Sequence, residues 1–119
     1  MAGHNFKNLK IWKEGMNLVK ETYDLTRAFP ESEKYVLASQ MIRCATSIPS
    51  NIAEGSSKSS DKHFRSYLEN SLGSAFEWET QRNIAFRQNY LSEEKFITLE
   101  NKVQQIEKMI SGFRNGLSE

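Results

Sequence analysis

Apolar residues in this chain advance in alternating steps of three and four for most of its length, a spacing that suits helices and little else. The clearest run is Phe96, Leu99, Val103, Ile106, Ile110, Phe113 and Leu117, which fall on one stripe of an α-helix. A first segment repeats the pattern with Leu9, Trp12, Met16, Val19, Tyr23 and Thr26. Leu18 and Leu25 widen that stripe, while Lys10, Lys13, Glu14, Lys20, Glu21 and Asp24 lie largely off it. A second carries Leu37, Met41, Cys44, Ile48 and Ile52, with Val36, Ala45 and Ala53 beside them. The third carries Phe64, Leu68, Ser71, Leu72, Ala75 and Trp78, with Tyr67, Phe76 and Ile84 to either side. No stretch alternates with the period of two that a half-buried strand requires.

Local chemistry places the breaks. Phe29-Pro30-Glu31-Ser32 ends the first helix, because the residue before a proline is pushed out of the α region. Ser32 offers an N-cap and Glu33 suits the positive end of the next helix. Pro49 removes a backbone donor inside the second segment, yet the apolar phase continues to Ile52, which predicts one kinked helix rather than two. Gly55 reads as the residue that ends it, before the polar loop Ser56-Ser57-Lys58-Ser59-Ser60. Ser71, Gly73, Ser74 and Ala75 form a small-residue patch suited to close helix approach. Ser92 caps the fourth helix after a turn at Tyr90 and Leu91, and Gly112 inside it costs about 1 kcal/mol. The expected helices lie near 6–29, 33–55, 61–89 and 92–116. Each spans about 30–40 Å at about 1.5 Å per residue. Short loops then make residues 1–119 a single all-α domain, an antiparallel up-down-up-down four-helix bundle with a kinked second helix.

Composition narrows the function classes. The 119 residues hold 16 Lys plus Arg against 15 Asp plus Glu, a formal net charge of +1. A dedicated non-specific nucleic-acid binder carries a clear basic excess, so only a local patch could serve here. Cys44 is the one cysteine, which excludes an intramolecular disulfide, and its apolar setting marks it as a small buried hydrophobe. Met1 to Gly15 shows charges and no apolar run, so no signal peptide is expected. No segment approaches the roughly 20 apolar residues of a membrane span. With no Asn-x-Ser/Thr site either, a cytoplasmic bacterial protein is the expectation.

No catalytic, cofactor or metal constellation assembles from the residues. His4 and His63 are far apart and no Glu-x-x-His pair occurs, so a bundle-core metal site is not expected. The glycines form no phosphate loop, and Trp12 and Trp78 sit at stripe positions as core residues rather than stacking platforms. Two surfaces stand out. Gln40, Arg43, Ser47, Asn51 and Glu54 make a polar stripe on the second helix, readable as a subunit or inter-helix interface, with Glu69 and Glu77 as partners for Arg43, or as a solvated face. In the expected topology, one bundle end collects Lys7, Lys10, Lys13, Lys58, Lys62, Arg65 and Arg114, with His63. Glu14, Glu54, Asp61, Glu69 and Glu119 dilute that patch without cancelling it, and the opposite end is slightly acidic. It is a candidate nucleic-acid contact, although ordinary surface charge accounts for it equally well.

The stretch Gln40-Met-Ile-Arg43-Cys-Ala-Thr-Ser-Ile-Pro49-Ser-Asn-Ile-Ala-Glu54-Gly55 resembles the second-helix segment of a bacterial family of four-helix bundles. These are the proteins encoded in intervening sequences of 23S ribosomal RNA genes, sometimes labelled ribosomal-protein-like. Leu9-x-x-Trp12, Phe29-Pro30-x-x-Glu33 and Phe64 through Glu79 extend the resemblance over nearly the whole chain. Cys44 stands where the family usually has Ala. Arg82 stands at an expected apolar core position, so the end of the third helix should pack atypically. The resemblance implies a ring-shaped homopentamer and a non-enzymatic role that is poorly defined. A similar bundle is the accessory protein of diversity-generating retroelements, which implies RNA or DNA, a reverse transcriptase or a ribosomal component as partners. The alternative is a protein-interaction scaffold with no nucleic-acid role.

Overall fold

The computed structural model describes residues 5–118. Four helices make up the fold: α1 (Lys10–Thr26), α2 (Leu37–Ser56), α3 (Asp61–Arg87) and α4 (Glu93–Asn115). Short 3-10 turns at Phe6–Asn8 and Glu31–Glu33 precede α1 and α2. Each helix packs on the next and α4 returns to α1, which gives the antiparallel bundle. Among the described residues there is no strand.

Serines set two of the helix starts, Ser92 as expected and Ser60 from within the polar loop. Ser60 Oγ accepts from His63 N at 3.2 Å, and Ser92 Oγ accepts from Lys95 N at 3.1 Å, each supplying an acceptor for an orphan amide of the first turn. Ser32 does not cap α2. The residues around it form the 3-10 turn, α2 begins at Leu37, and the Glu33 carboxylate accepts from Leu37 N at 3.4 Å. The first expected helix is likewise shorter, running from Lys10 rather than residue 6. Pro49 lies within α2, and the helix neither breaks nor reverses there.

The core contains Met41, Cys44, Ile48 and Ile52 from α2, Phe64, Leu68, Ala75 and Trp78 from α3, and Leu99, Val103, Ile106 and Ile110 from α4. On α1 the period was right and the phase was not. The buried line is Ile11, Gly15, Leu18, Thr22 and Leu25, while Met16 and Tyr23 from the expected stripe are exposed. Two contacts rotate the helix this way. A Cβ on Gly15 would lie 3.3 Å from Cβ and Cδ of Pro49, a tight contact that marks a close approach of α1 and α2. Across the bundle, Trp78 Nε1 donates to Thr22 Oγ1 at 3.0 Å.

Gly55 does not end α2 either. The helix continues to Ser56, and a Cβ on Gly55 would lie 2.7 Å from Tyr67 Cβ and 2.9 Å from Phe64 Cδ1. Its role is to let α3 come close. In the small-residue patch, Ser71 and Ala75 are buried and Ser71 Oγ donates to Ile48 O at 2.9 Å. Gly73 instead points outward, with nothing within 4 Å of its missing side chain.

Candidate functional site

The polar stripe on α2 divides in two. Ser47 and Asn51 are half-buried and form an inter-helix network: Ser47 Oγ and Ser74 Oγ are 2.8 Å apart, and Asn51 Nδ2 donates to Ser47 O and Oγ, each at 2.9 Å. Gln40, Arg43 and Glu54 are exposed, and Arg43 makes no ion pair with Glu69 or Glu77. Beside the stripe, Cys44 is buried, which pushes its thiol above the ordinary value and away from the reactive thiolate. Trp78 is a core residue as expected, while Trp12 is half-buried, edge-on to Phe6 with ring centroids 5.4 Å apart.

Alternating helix direction brings the starts of α1 and α3 to the same end as the finishes of α2 and α4. The seven candidate cations there behave differently. Lys7, Lys10, Lys13 and Lys62 are exposed, and among the described residues none makes an ion pair. Lys58 lies over the Tyr67 ring at 5.1 Å. Arg65 folds back on the chain end, with Nη2 donating to Leu117 O at 2.8 Å and Ser118 O at 3.1 Å. Asp61 takes part in the same closure by accepting from Ser118 N at 3.1 Å. Arg114 Nε reaches Asn115 Oδ1 at 3.4 Å. Thus Lys7, Lys10, Lys13 and Lys62 are available to a ligand, whereas Arg65 also serves the fold. His63 shares a 2.7 Å hydrogen bond with Ser60. His4 and Glu119 lie outside the described residues.

Elsewhere the surface cations are more often paired. Asp24 holds Lys20 and Arg27, and the Lys20 hydrogen bonds, followed by the Arg27 contact, keep its carboxyl below the usual range. Glu21 on α1 holds Lys95 and Lys102 of α4. At the far end Tyr90 Oη donates to Glu33 Oε2 at 2.8 Å, which raises the phenol's pKa.

Between α3 and α4 lies a polar cluster whose full extent the sequence did not show. Arg82 is 1% exposed, stacked 4.2 Å over Phe96, with Nη2 3.5 Å from Glu100 Oε1. Its Nε and Nη1 are buried without a protein partner, as is Glu107 Oε2. Burial, followed by the neighbouring Glu79 carboxyl, pushes the Glu107 pKa up to about 8. Arg82 was the one sign of atypical packing here. The two glutamates gave no sign, because their meeting depends on the register of α3 against α4. Among the described residues, no group of three or more His, Cys, Asp or Glu is placed to hold a metal ion, and no helix is long and apolar enough to cross a membrane.

These features define a class: small antiparallel four-helix bundles with a packed apolar core and distinct charged and apolar surfaces. The chain belongs to the 23S rRNA-intervening sequence protein family, whose pattern it matches over residues 7–112. A similar solved structure is a protein with unknown function from the S23 ribosomal protein family of Bacteroides thetaiotaomicron. The two share 23% identity over 87% of this chain and 97% of that chain, with a TM-score of 0.81, a likeness of fold. No curated protein matches the chain.

Proposed function

We propose that this chain is a non-enzymatic, self-associating bundle that presents its basic end to RNA or DNA. One observation carries the reading: Lys7, Lys10, Lys13 and Lys62 share an end and are exposed without ion partners among the described residues. Four such ammonium groups suit phosphate contacts, which fix position without reading sequence. A net charge of +1 makes one copy a weak binder. Repetition around a homopentameric ring would multiply those weak contacts. The family's tie to 23S ribosomal RNA genes makes structured ribosomal RNA the first ligand to test.

A second reading is a protein-interaction scaffold with no nucleic-acid role, its partner a reverse transcriptase or a ribosomal component. Phe76 and Ile84 favour it, being large apolar residues left exposed on α3.

Fluorescence anisotropy with a structured ribosomal RNA fragment at about 50 and 200 mM salt separates the readings. Wild-type affinity should fall by about tenfold or more between the two conditions. Combining Lys7→Glu, Lys10→Glu and Lys62→Glu should weaken binding and lower the salt slope by about two to three. Unchanged affinity and slope in a folded variant would remove this end as the contact and leave the scaffold reading.

A further inference from the structure

Two helices on opposite corners of the bundle each leave an apolar face bare. On α1, Met16 and Tyr23 are 44% and 45% exposed; on α3, Phe76 and Ile84 are 53% and 44% exposed. Single exposed apolar residues are ordinary, but pairs at helical spacing on two separate faces call for a partner. Gly73 lies in the α3 face with open space where a side chain would be. An exposed mid-helix glycine costs about 1 kcal/mol relative to alanine, and no close approach within this chain offsets it.

Relative height along the bundle follows from the cross-helix contacts. Gly15 packs on Ile48 and Pro49, and Ile48 O accepts from Ser71, so Gly15 is level with Ser71. Thr22 is level with Trp78 through their hydrogen bond, the same separation of 56 positions. Met16 therefore stands level with Leu72 and Gly73, Lys13 with Glu69, and Lys20 with Phe76 and Glu77.

We propose that the α1 face docks in parallel against the α3 face of a second copy of this chain. The inference rests on the self-association proposed above. A cyclic ring has no rise along its axis, so upright bundles meet at equal height. There the Met16 side chain meets the space over Gly73, and Lys13 and Lys20 meet Glu69 and Glu77; in the assembled ring this leaves the phosphate contacts to Lys7, Lys10 and Lys62. Lys13, Glu69 and Glu77 have no ion partner among the described residues of their own chain, while Lys20 is shared with Asp24. The opposite charges set the pairing and the register, and the apolar pairs are removed from water between them. Because the two faces differ, the contact is head-to-tail: each added copy leaves one face of each kind free until the ring closes.

Cysteine cross-linking tests the pairing directly, in a Cys44→Ala background. Met16→Cys and Gly73→Cys chains mixed under mild oxidation should give a covalent dimer, with each chain alone giving several-fold less. A disulfide requires the two Cα atoms within about 7 Å, so diffuse association does not satisfy it. Charge exchange is the second measurement, read by solution mass. Lys13→Glu should lower the assembly mass, and adding Glu69→Lys in the same chain should restore it. An oligomer showing neither cross-link nor rescue overturns the proposed faces. A wild-type monomer overturns the self-association on which they rest.

Discussion

Trp78 and Thr22 join α3 to α1 across the bundle: the indole Nε1 donates to the Thr22 hydroxyl at 3.0 Å, with both residues fully buried. Thr22 in turn donates to Leu18 O at 2.7 Å. The only polar atom of the largest core side chain is satisfied, and α1 is held at a fixed rotation on the bundle.

Thr22→Val keeps the shape and removes the acceptor. The Trp78 N–H is then buried without a partner, and the chain should lose about 1–3 kcal/mol in urea unfolding. In a Trp78→Phe background the same change should cost much less, since no donor remains. Equal costs in both backgrounds would show that the hydrogen bond does not set this position.

Two glycines should respond in opposite directions. Gly55→Ala places a Cβ 2.7 Å from Tyr67 Cβ, an atom that cannot swing away, and should destabilise the bundle by about 1–3 kcal/mol. Gly112→Ala meets nothing within 4 Å and should stabilise it by about 0.5–1 kcal/mol through helix propensity alone. Thermal unfolding of the two variants checks both signs.

Glu107 links stability to pH. Burial, then the nearby Glu79 carboxyl, raises its pKa to about 8, with Arg82 pulling the other way. The folded chain therefore holds this proton more tightly than the unfolded chain, where a glutamate titrates near about 4.3. Its contribution is complete below the unfolded value, declines as pH rises, and is lost through about pH 8. Glu107→Gln keeps the size and polarity of the side chain without ionising. It should flatten the decline between about pH 5 and 8 in urea unfolding. A variant that declines as steeply as the wild type would assign the pH dependence to other groups.

What could be read from the sequence was what neighbouring residues decide. Ser92 was legible as a cap because a serine oxygen reaches an amide three residues on; Ser60, the last residue of the polar loop, does the same for α3. The α4 face was legible because its apolar residues also fill the core. On α1 the apolar stripe misled, since the buried line passes through Gly15 and Thr22, whose roles come from Pro49 and Trp78 on other helices. Gly55 looked like a stop for the same reason: its partners, Phe64 and Tyr67, lie on α3. The basic end followed from alternating helix direction. The use of Arg65 did not, because it depends on where Leu117 and Ser118 return.

Sedimentation of the protein alone and with a short structured RNA tests the central proposal most directly. A mass of about five times the 13.8 kDa chain is expected, with one RNA bound across several copies. A 13.8 kDa particle at high concentration, or one RNA for each chain, would contradict it.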